Sequence, residues 1–298
     1  MAHTASIDSE VFKQRTQQQW DSAAAGWNAH TPQIAAWLRT ATDAMIDMAG
    51  VCIGSRVLDV AAGAGDQTLD LARRVGPSGQ VLATDLSPQI LALAADNARR
   101  AGCPNVRVQV ADGEDLAVDA DSFDAAVCRL GLMLFPDPLR GLRQMRRALR
   151  AGGGACTMVF GRPERNPCVG IVMSTALRHA GLPPRDPFQP GSLFSLGRPG
   201  AIDALFADAG FEEIATTVID APFRLPSARD YLAFIRTSAS PVRQILSALD
   251  AAAAASAWAE MEQRLHAFAT ADGWVGPSEL LLTAARAGTA TDSSRRPS

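Results

Sequence analysis

The sequence predicts an α/β domain: one mostly parallel seven-stranded sheet with helices on both faces, an N-terminal helical cover and a helical lid inserted late in the chain. Three observations predict it. Short β-rich runs alternate with helical stretches between residues 56 and 160. Strands separated by helices of roughly 10–15 residues are the pattern of βαβ units in a parallel sheet. A glycine turn closes the first of these strands and opens the helix after it. Composition agrees, because 47% hydrophobic and 20% charged residues is ordinary for a chain that buries a core.

The elements follow in order. From Val11 to Met48 the pattern is helical, with Trp20, Trp27, Ile34, Trp37, Met45 and Ile46 as apolar anchors and Thr31-Pro32 as a helix start, since proline's fixed φ suits a first helical turn. Arg56 to Val60 is a strand, Thr68 to Val75 a helix, and Val81 to Thr84 a second strand. Pro88 to Arg100 is a helix with Ser87 as its N-cap, the hydroxyl accepting from a free first-turn N–H. Val106 to Val110 and Phe123 to Cys128 are strands, Pro138 to Arg150 a helix, Gly152 to Gly154 a turn, and Ala155 to Phe160 a fifth strand.

Beyond Gly161 the alternation breaks. Residues 162–200 are rich in Pro and Gly, with one helical piece near Val169 to His179. A helix over Ala201 to Ala209, a strand over Ile214 to Asp220, helices over 227–238 and 241–269, and a last strand over Leu280 to Ala284 complete the chain. The expected organisation is a cover over 1–50, a binding core over 51–161, a helical insertion with the end of the sheet over 162–287, and a tail over 288–298. The first ten residues and the tail are expected to be mobile ends.

Composition excludes several functions. No apolar run approaches the ~18 residues of a membrane span, so no membrane span is expected. Asp8, Glu10, Lys13 and Arg15 stand where an export signal would be apolar, and five cysteines without a CxxC pair suit reduced thiols, so the expected location is cytoplasmic. A net charge of −3 lacks the basic face that neutralises phosphates, so no nucleic-acid partner is expected. Arg140, Arg143, Arg146, Arg147 and Arg150 cluster, but their spacing lines one helix and reads as a solvated face. Four scattered histidines offer no ligand spacing, so no metal site is expected. Lys13 is the only lysine, too slender a basis for Schiff-base chemistry.

The chemistry is expected in the loops at the strands' C-terminal ends. The first turn reads Asp59-Val60-Ala61-Ala62-Gly63-Ala64-Gly65-Asp66-Gln67-Thr68. Its two glycines let backbone approach a ligand, and the following helix offers free N–H groups. Asp85, 22 positions after Gly63 at the end of the next strand, is placed to accept hydrogen bonds from vicinal ribose hydroxyls. A dinucleotide would want a third glycine where Thr68 stands, and Asp66 puts negative charge where a pyrophosphate would lie. A phosphate-free ribose cofactor with a zwitterionic tail fits better. Asp59 and Asp66 are then candidates to face its ammonium, with the helix N-terminus and Thr68 for its carboxylate.

VLDVAAGAGDQT, ATDLS, ADGEDL, SFDAAVCRLGLMLFPDP and RRALRAGGG, in that order, resemble the successive motifs of class I S-adenosylmethionine-dependent methyltransferases, nearest the ubiquinone/menaquinone C-methyltransferase branch. The resemblance covers roughly residues 54–161. It implies a Rossmann-like fold and S-adenosyl-L-methionine as cofactor. It places Gly63 and Gly65 under the methionine part, Thr68 against that part, Asp85 on the ribose, Leu86 on the adenine, Asp112 on the adenine amino group beside Gly113, and Arg129 along the cofactor. Ala61 departs from the family's glycine, and Ala151 from a proline before the GG turn. Arg129 is also read as a structural partner of Asp59 or Asp124, and Asp112-Gly113 as a plain turn.

Methyl transfer from a sulfonium needs chiefly in-line positioning. General-base candidates are His30, His179 and Tyr231, and no catalytic residue is assigned. Phe188, Leu193, Phe194, Leu196, Phe223 and Phe234 suggest an apolar lid over a small organic substrate, plausibly aromatic or polyketide-like. Trp20, Trp27 and Trp37 read equally as cofactor cover or as packing. A homodimer is kept as an expectation. The alternatives are an NAD(P)-dependent oxidoreductase and a non-methylating member of the same fold, a cyclase or partner subunit.

Overall fold

The computed structural model describes residues 9–288. Of the expected mobile ends, only Ser9 and Glu10, which begin the first helix, and Gly288 fall within that range; the rest lie outside the described residues. The cover is two helices, α1 (Ser9–Ala29) and α2 (Thr31–Met48), broken at His30 with Pro32 in the new first turn. The core follows as β1 (Arg56–Val60), α3 (Asp66–Val75), β2 (Gln80–Asp85), α4 (Pro88–Arg100), β3 (Val106–Val110), β4 (Phe123–Arg129), α5 (Pro138–Ala148) and β5 (Leu149–Phe160). Then come α6 (Pro167–His179), α7 (Ala201–Asp208), β6 (Phe211–Asp220), β7 (Phe223–Leu225), α8 (Ala228–Ser238), α9 (Ser240–Ser247) and α10 (Ala251–Leu265). The last elements are β8 (Ala269–Thr270), β9 (Gly273–Gly276) and β10 (Glu279–Ala287).

The seven expected strands form one sheet in the order β3-β2-β1-β4-β5-β10-β6. β3, β2, β1, β4 and β5 run parallel, and β10 lies antiparallel between β5 and β6. β1 is central, and Val57, Leu58, Asp59 and Val60 are all buried, as expected of a strand covered by helices on both faces. α2 lays Ile34, Leu38, Ala41 and Met45 into the core, a stripe at helical spacing. Ser87 caps α4 by accepting from Ile90 N–H at 3.2 Å.

Four expectations are corrected. Gly152–Gly154 is part of β5 and not a turn before it; Leu149 pairs with Phe123 and Gly154 with Ala125, so the surplus residues form a bulge. A side chain at Gly154 would overlap the Ala49 carbonyl, which is why glycine stands there. The helix expected over 241–269 is two, because Asp250 accepts from Ala253 N–H at 2.7 Å and starts α10 afresh. Within 223–276 a three-stranded sheet, β7-β9-β8, was not anticipated. The arginine row of α5 is not simply solvated. Arg143 and Arg146 donate to the carbonyls of Asp208 and Gly210, and Arg147 to that of Leu116. The first two bonds tie α5 to the end of α7 and the turn after it, and the third ties it to the stretch before β4.

The insertion's apolar residues pack inward. Phe194, Leu196, Phe223 and Phe234 are buried in the main core, and Trp37 stacks on Phe223 at 4.9 Å between centroids. α1 docks on α8 where Gly26 meets Thr237, so closely that a Cβ would overlap the Thr237 carbonyl. Among the described residues no helix is long and apolar enough to cross a membrane.

Candidate functional site

The strand order reverses between β1 and β4, and the crevice at such a switch point is where open α/β sheets bind ligands. A cleft of about 900 Å³, its open mouth included, lies there. Its floor is the loops after β1, β2, β3 and β4, and its roof is α1, through Phe12, Lys13, Thr16, Trp20 and Trp27. Trp20 and Trp27 thus cover the cleft, whereas Trp37 belongs to the aromatic core. None of the six insertion residues expected to form an apolar lid lines the cleft. The insertion acts at one remove, with Gly191 seated against the Phe12 ring.

The floor is strained backbone. Gly63 and Gly65 take φ of 58° and 84°, and Ala61 takes 56° without being glycine. Leu130, across the cleft floor, is also left-handed at 58°. A non-glycine residue there costs about 1–2 kcal/mol, and such strain gathers at binding sites. At Gly65 a Cβ would stand 2.9 Å from that of Ala94, so glycine lets α3 close onto α4.

Asp85 ends β2 at the cleft wall. Its Oδ2 accepts from Gly63 N–H and its Oδ1 from Ser87 N–H, both at 2.9 Å. Burial pushes its carboxyl above the ordinary value, against those backbone donors. Leu86 and Gly113 also line the wall, and Gly113 lies under the Phe135 ring, where a Cβ would not fit. Asp112 accepts from Glu114 N–H at 2.9 Å and from Lys13 Nζ at 2.7 Å. Lys13 also reaches Glu114 at 2.6 Å. Burial alone would lower the Lys13 pKa, but the two carboxylates outweigh it and hold the ammonium above its ordinary range.

Asp59, Gly65 and Thr68 lie beneath the floor and not on its surface. Asp59 is wholly buried. It accepts from Thr68 Oγ1 at 2.6 Å and Gln67 Nε2 at 3.2 Å. Burial pushes its carboxyl up to about 7, against the pull of those donors and of Arg129. The Thr68 hydroxyl is therefore committed to Asp59. Arg129 lines the cleft but pairs with neither Asp59 nor Asp124; its guanidinium joins Asp66 and donates to Thr42 Oγ1. The Asp66 charge is thus already answered.

The three general-base candidates stand elsewhere. His30 packs edge-on to Phe234, and His179 pairs with Glu260 at 3.0 Å. Tyr231 is buried against Trp274, which raises its pKa. Residues the sequence reading passed over are Lys13, Glu114, Gln67 and Phe135, all lining the cleft. Only Lys13 carried a signal, as the sole lysine in an otherwise arginine-rich chain.

Residues 33–171, just under half of the chain, match the model of the ubiE/COQ5 methyltransferase family. Among curated relatives, the ubiquinone/menaquinone biosynthesis C-methyltransferase UbiE of Idiomarina loihiensis is 39% identical over 119 residues, 40% of this chain and 47% of that protein. The same enzyme of Azotobacter vinelandii is 38% identical over 128 residues, 43% and 50% of the two chains. The chain spans about half the length of the curated relatives it matches. Among solved structures, the [4+2]-cyclase SpnF superposes with a TM-score of 0.59 at 22% identity, covering 93% of this chain and 97% of that one. YcgJ of Bacillus subtilis gives 0.57 at 19% identity, covering 84% and 99%. These neighbours share the Rossmann-like fold of this protein, and residues 33–171 are similar to the ubiE/COQ5 methyltransferase family.

Proposed function

We propose that this protein is an S-adenosyl-L-methionine-dependent methyltransferase acting on a small organic molecule. The observation that carries the reading is Asp85, held by Gly63 N–H at the end of β2 beside a left-handed glycine turn. Each Asp85 oxygen takes one backbone N–H, which leaves lone pairs for vicinal ribose hydroxyls. The residues present fit the cofactor. At Gly63 a Cβ would project to 3.7 Å from Trp27 Nε1 and 3.9 Å from Ile90, filling a cradle the turn keeps open.

In this reading Gly63 and Gly65 shape the turn, Asp85 holds the ribose, and Leu86, Asp112 and Gly113 take the adenine end. The free N–H groups of α3 suit the tail carboxylate. Arg129 acts by fixing Asp66 at the turn, and Asp59 and Thr68 act from beneath. Bound S-adenosylmethionine supplies a methyl group already activated on sulfur. The protein's part is to orient the acceptor and exclude water, and such positioning is worth ~7–11 kcal/mol. The aromatic roof suits a flat, apolar acceptor. Five free thiols support a cytoplasmic setting.

Calorimetry with S-adenosylhomocysteine tests the reading, followed by labelled methyl transfer across phenols, amines and carbon acids. Binding with turnover of one acceptor class supports it. Failure to bind, with a nicotinamide cofactor raising the melting temperature instead, would overturn it in favour of an oxidoreductase. Binding without methyl transfer to any acceptor would leave a non-methylating member of the fold.

A further inference from the structure

Gln67 is the second residue of α3, 1% exposed, and part of the cleft lining. Its amide orientation is fixed, because Nε2 donates both protons, to Asp59 Oδ1 and to the Ala62 carbonyl, each at 3.2 Å. Swapping oxygen and nitrogen would set an acceptor against two acceptors. Oε1 is then left buried with no partner among the described residues. An acceptor in that state carries a desolvation cost that a donor would remove.

The charges beside it say what kind of donor. Asp66 is answered by Arg129, and Asp112 and Glu114 by Lys13. Asp59, directly behind the Gln67 amide, has only neutral donors within hydrogen-bond reach and no cation within 4 Å among the described residues. This end of the cleft therefore offers a buried acceptor without a donor and a carboxyl without a cation to keep it ionised. An ammonium group supplies both. Resting on the reading of the cleft given above, we infer that Gln67 Oε1 is the acceptor for the ammonium of the cofactor's amino-acid tail, with Asp59 orienting the amide from behind.

The test is calorimetric and needs no turnover. Two ligands are compared on the whole protein: S-adenosylhomocysteine, and its desamino analogue, which lacks only the ammonium. Gln67→Met keeps side-chain length without the acceptor, and is expected to weaken S-adenosylhomocysteine roughly 10- to 100-fold, the loss of one bond to a charged group. The desamino analogue is expected to bind wild type and variant within about threefold. Melting curves fix the folded fraction of each protein, and the desamino analogue, which a poorly folded variant would bind as weakly as it binds S-adenosylhomocysteine, guards against a Met variant that folds poorly. Equal losses for both ligands, or an unchanged S-adenosylhomocysteine affinity in Gln67→Met, would overturn the inference alone. A wild type that binds neither ligand would overturn the reading of the cleft and the inference with it.

Discussion

Lys13 Nζ lies 2.7 Å from Asp112 Oδ2, a contact between residues 99 positions apart that pins the first helix over the cleft. The same ammonium meets Glu114, whose side chain is nearly inaccessible. Removing the cation would strand a buried carboxylate, which costs about 3 kcal/mol. Lys13→Met is therefore expected to lower the melting temperature and to speed amide hydrogen exchange across 9–29. Unchanged exchange in α1 would show that the ion pair does not hold the roof.

Asp85→Ala removes the carboxylate proposed for the ribose. The net loss of one charge-assisted contact predicts about 1.5–3 kcal/mol, or roughly a 10- to 100-fold weaker affinity for S-adenosylhomocysteine, and a second bond to the same carboxylate would add to it. Because Asp85 also accepts from Gly63 and Ser87, the variant should melt lower as well. Calorimetry at matched folded fraction separates the two effects. An affinity within twofold of wild type would count against Asp85 as a ligand.

Ala61 sits at φ 56°, and its methyl occupies the space that a side chain at Gly131 would need. Glycine tolerates that backbone without penalty, though it gains freedom in the unfolded chain. Ala61→Gly is thus expected to stabilise the protein by about 0.5–1 kcal/mol. Urea unfolding measures it, and a destabilised variant would mean that methyl packing outweighs the strain.

Asp59 makes stability depend on pH. Its carboxyl holds its proton to about 7 in the fold, against 3.8 in a free side chain. Between those values the folded state binds more protons than the unfolded, so this contribution falls as pH rises and levels off above about 7. The stability of the wild type relative to Asp59→Asn should accordingly decline from about pH 4 to about pH 7 and then stay flat. Melting curves across that range check it, and a difference that grows with pH would contradict the buried, proton-holding carboxyl.

Local chemistry was enough to place the sheet, its turns and much of the floor of the cleft. Alternating runs and N-caps mark β1 to β5 because period, proline and capping are properties of neighbouring residues. The glycine turn and Asp85 are legible for the same reason, being 22 positions apart on one βαβ unit. What the sequence could not decide is anything that depends on which distant groups meet. The break at Asp250 was missed because an alanine-rich helix reads continuously through a cap. The apolar residues of the insertion predict a lid, yet packing sends Phe194, Phe223 and Phe234 into the core and leaves α1 as the roof. Arg129 finds Asp66 and Lys13 finds Asp112 only once β4 and α1 are brought over the turn. By itself, then, the sequence determined the fold class, the motifs that carry the family resemblance and the position of the carboxylate proposed for the ribose. Which charges are answered, and which buried acceptor still lacks a donor, was decided by tertiary structure, because burial and pairing are relations between elements that no single stretch of chain contains.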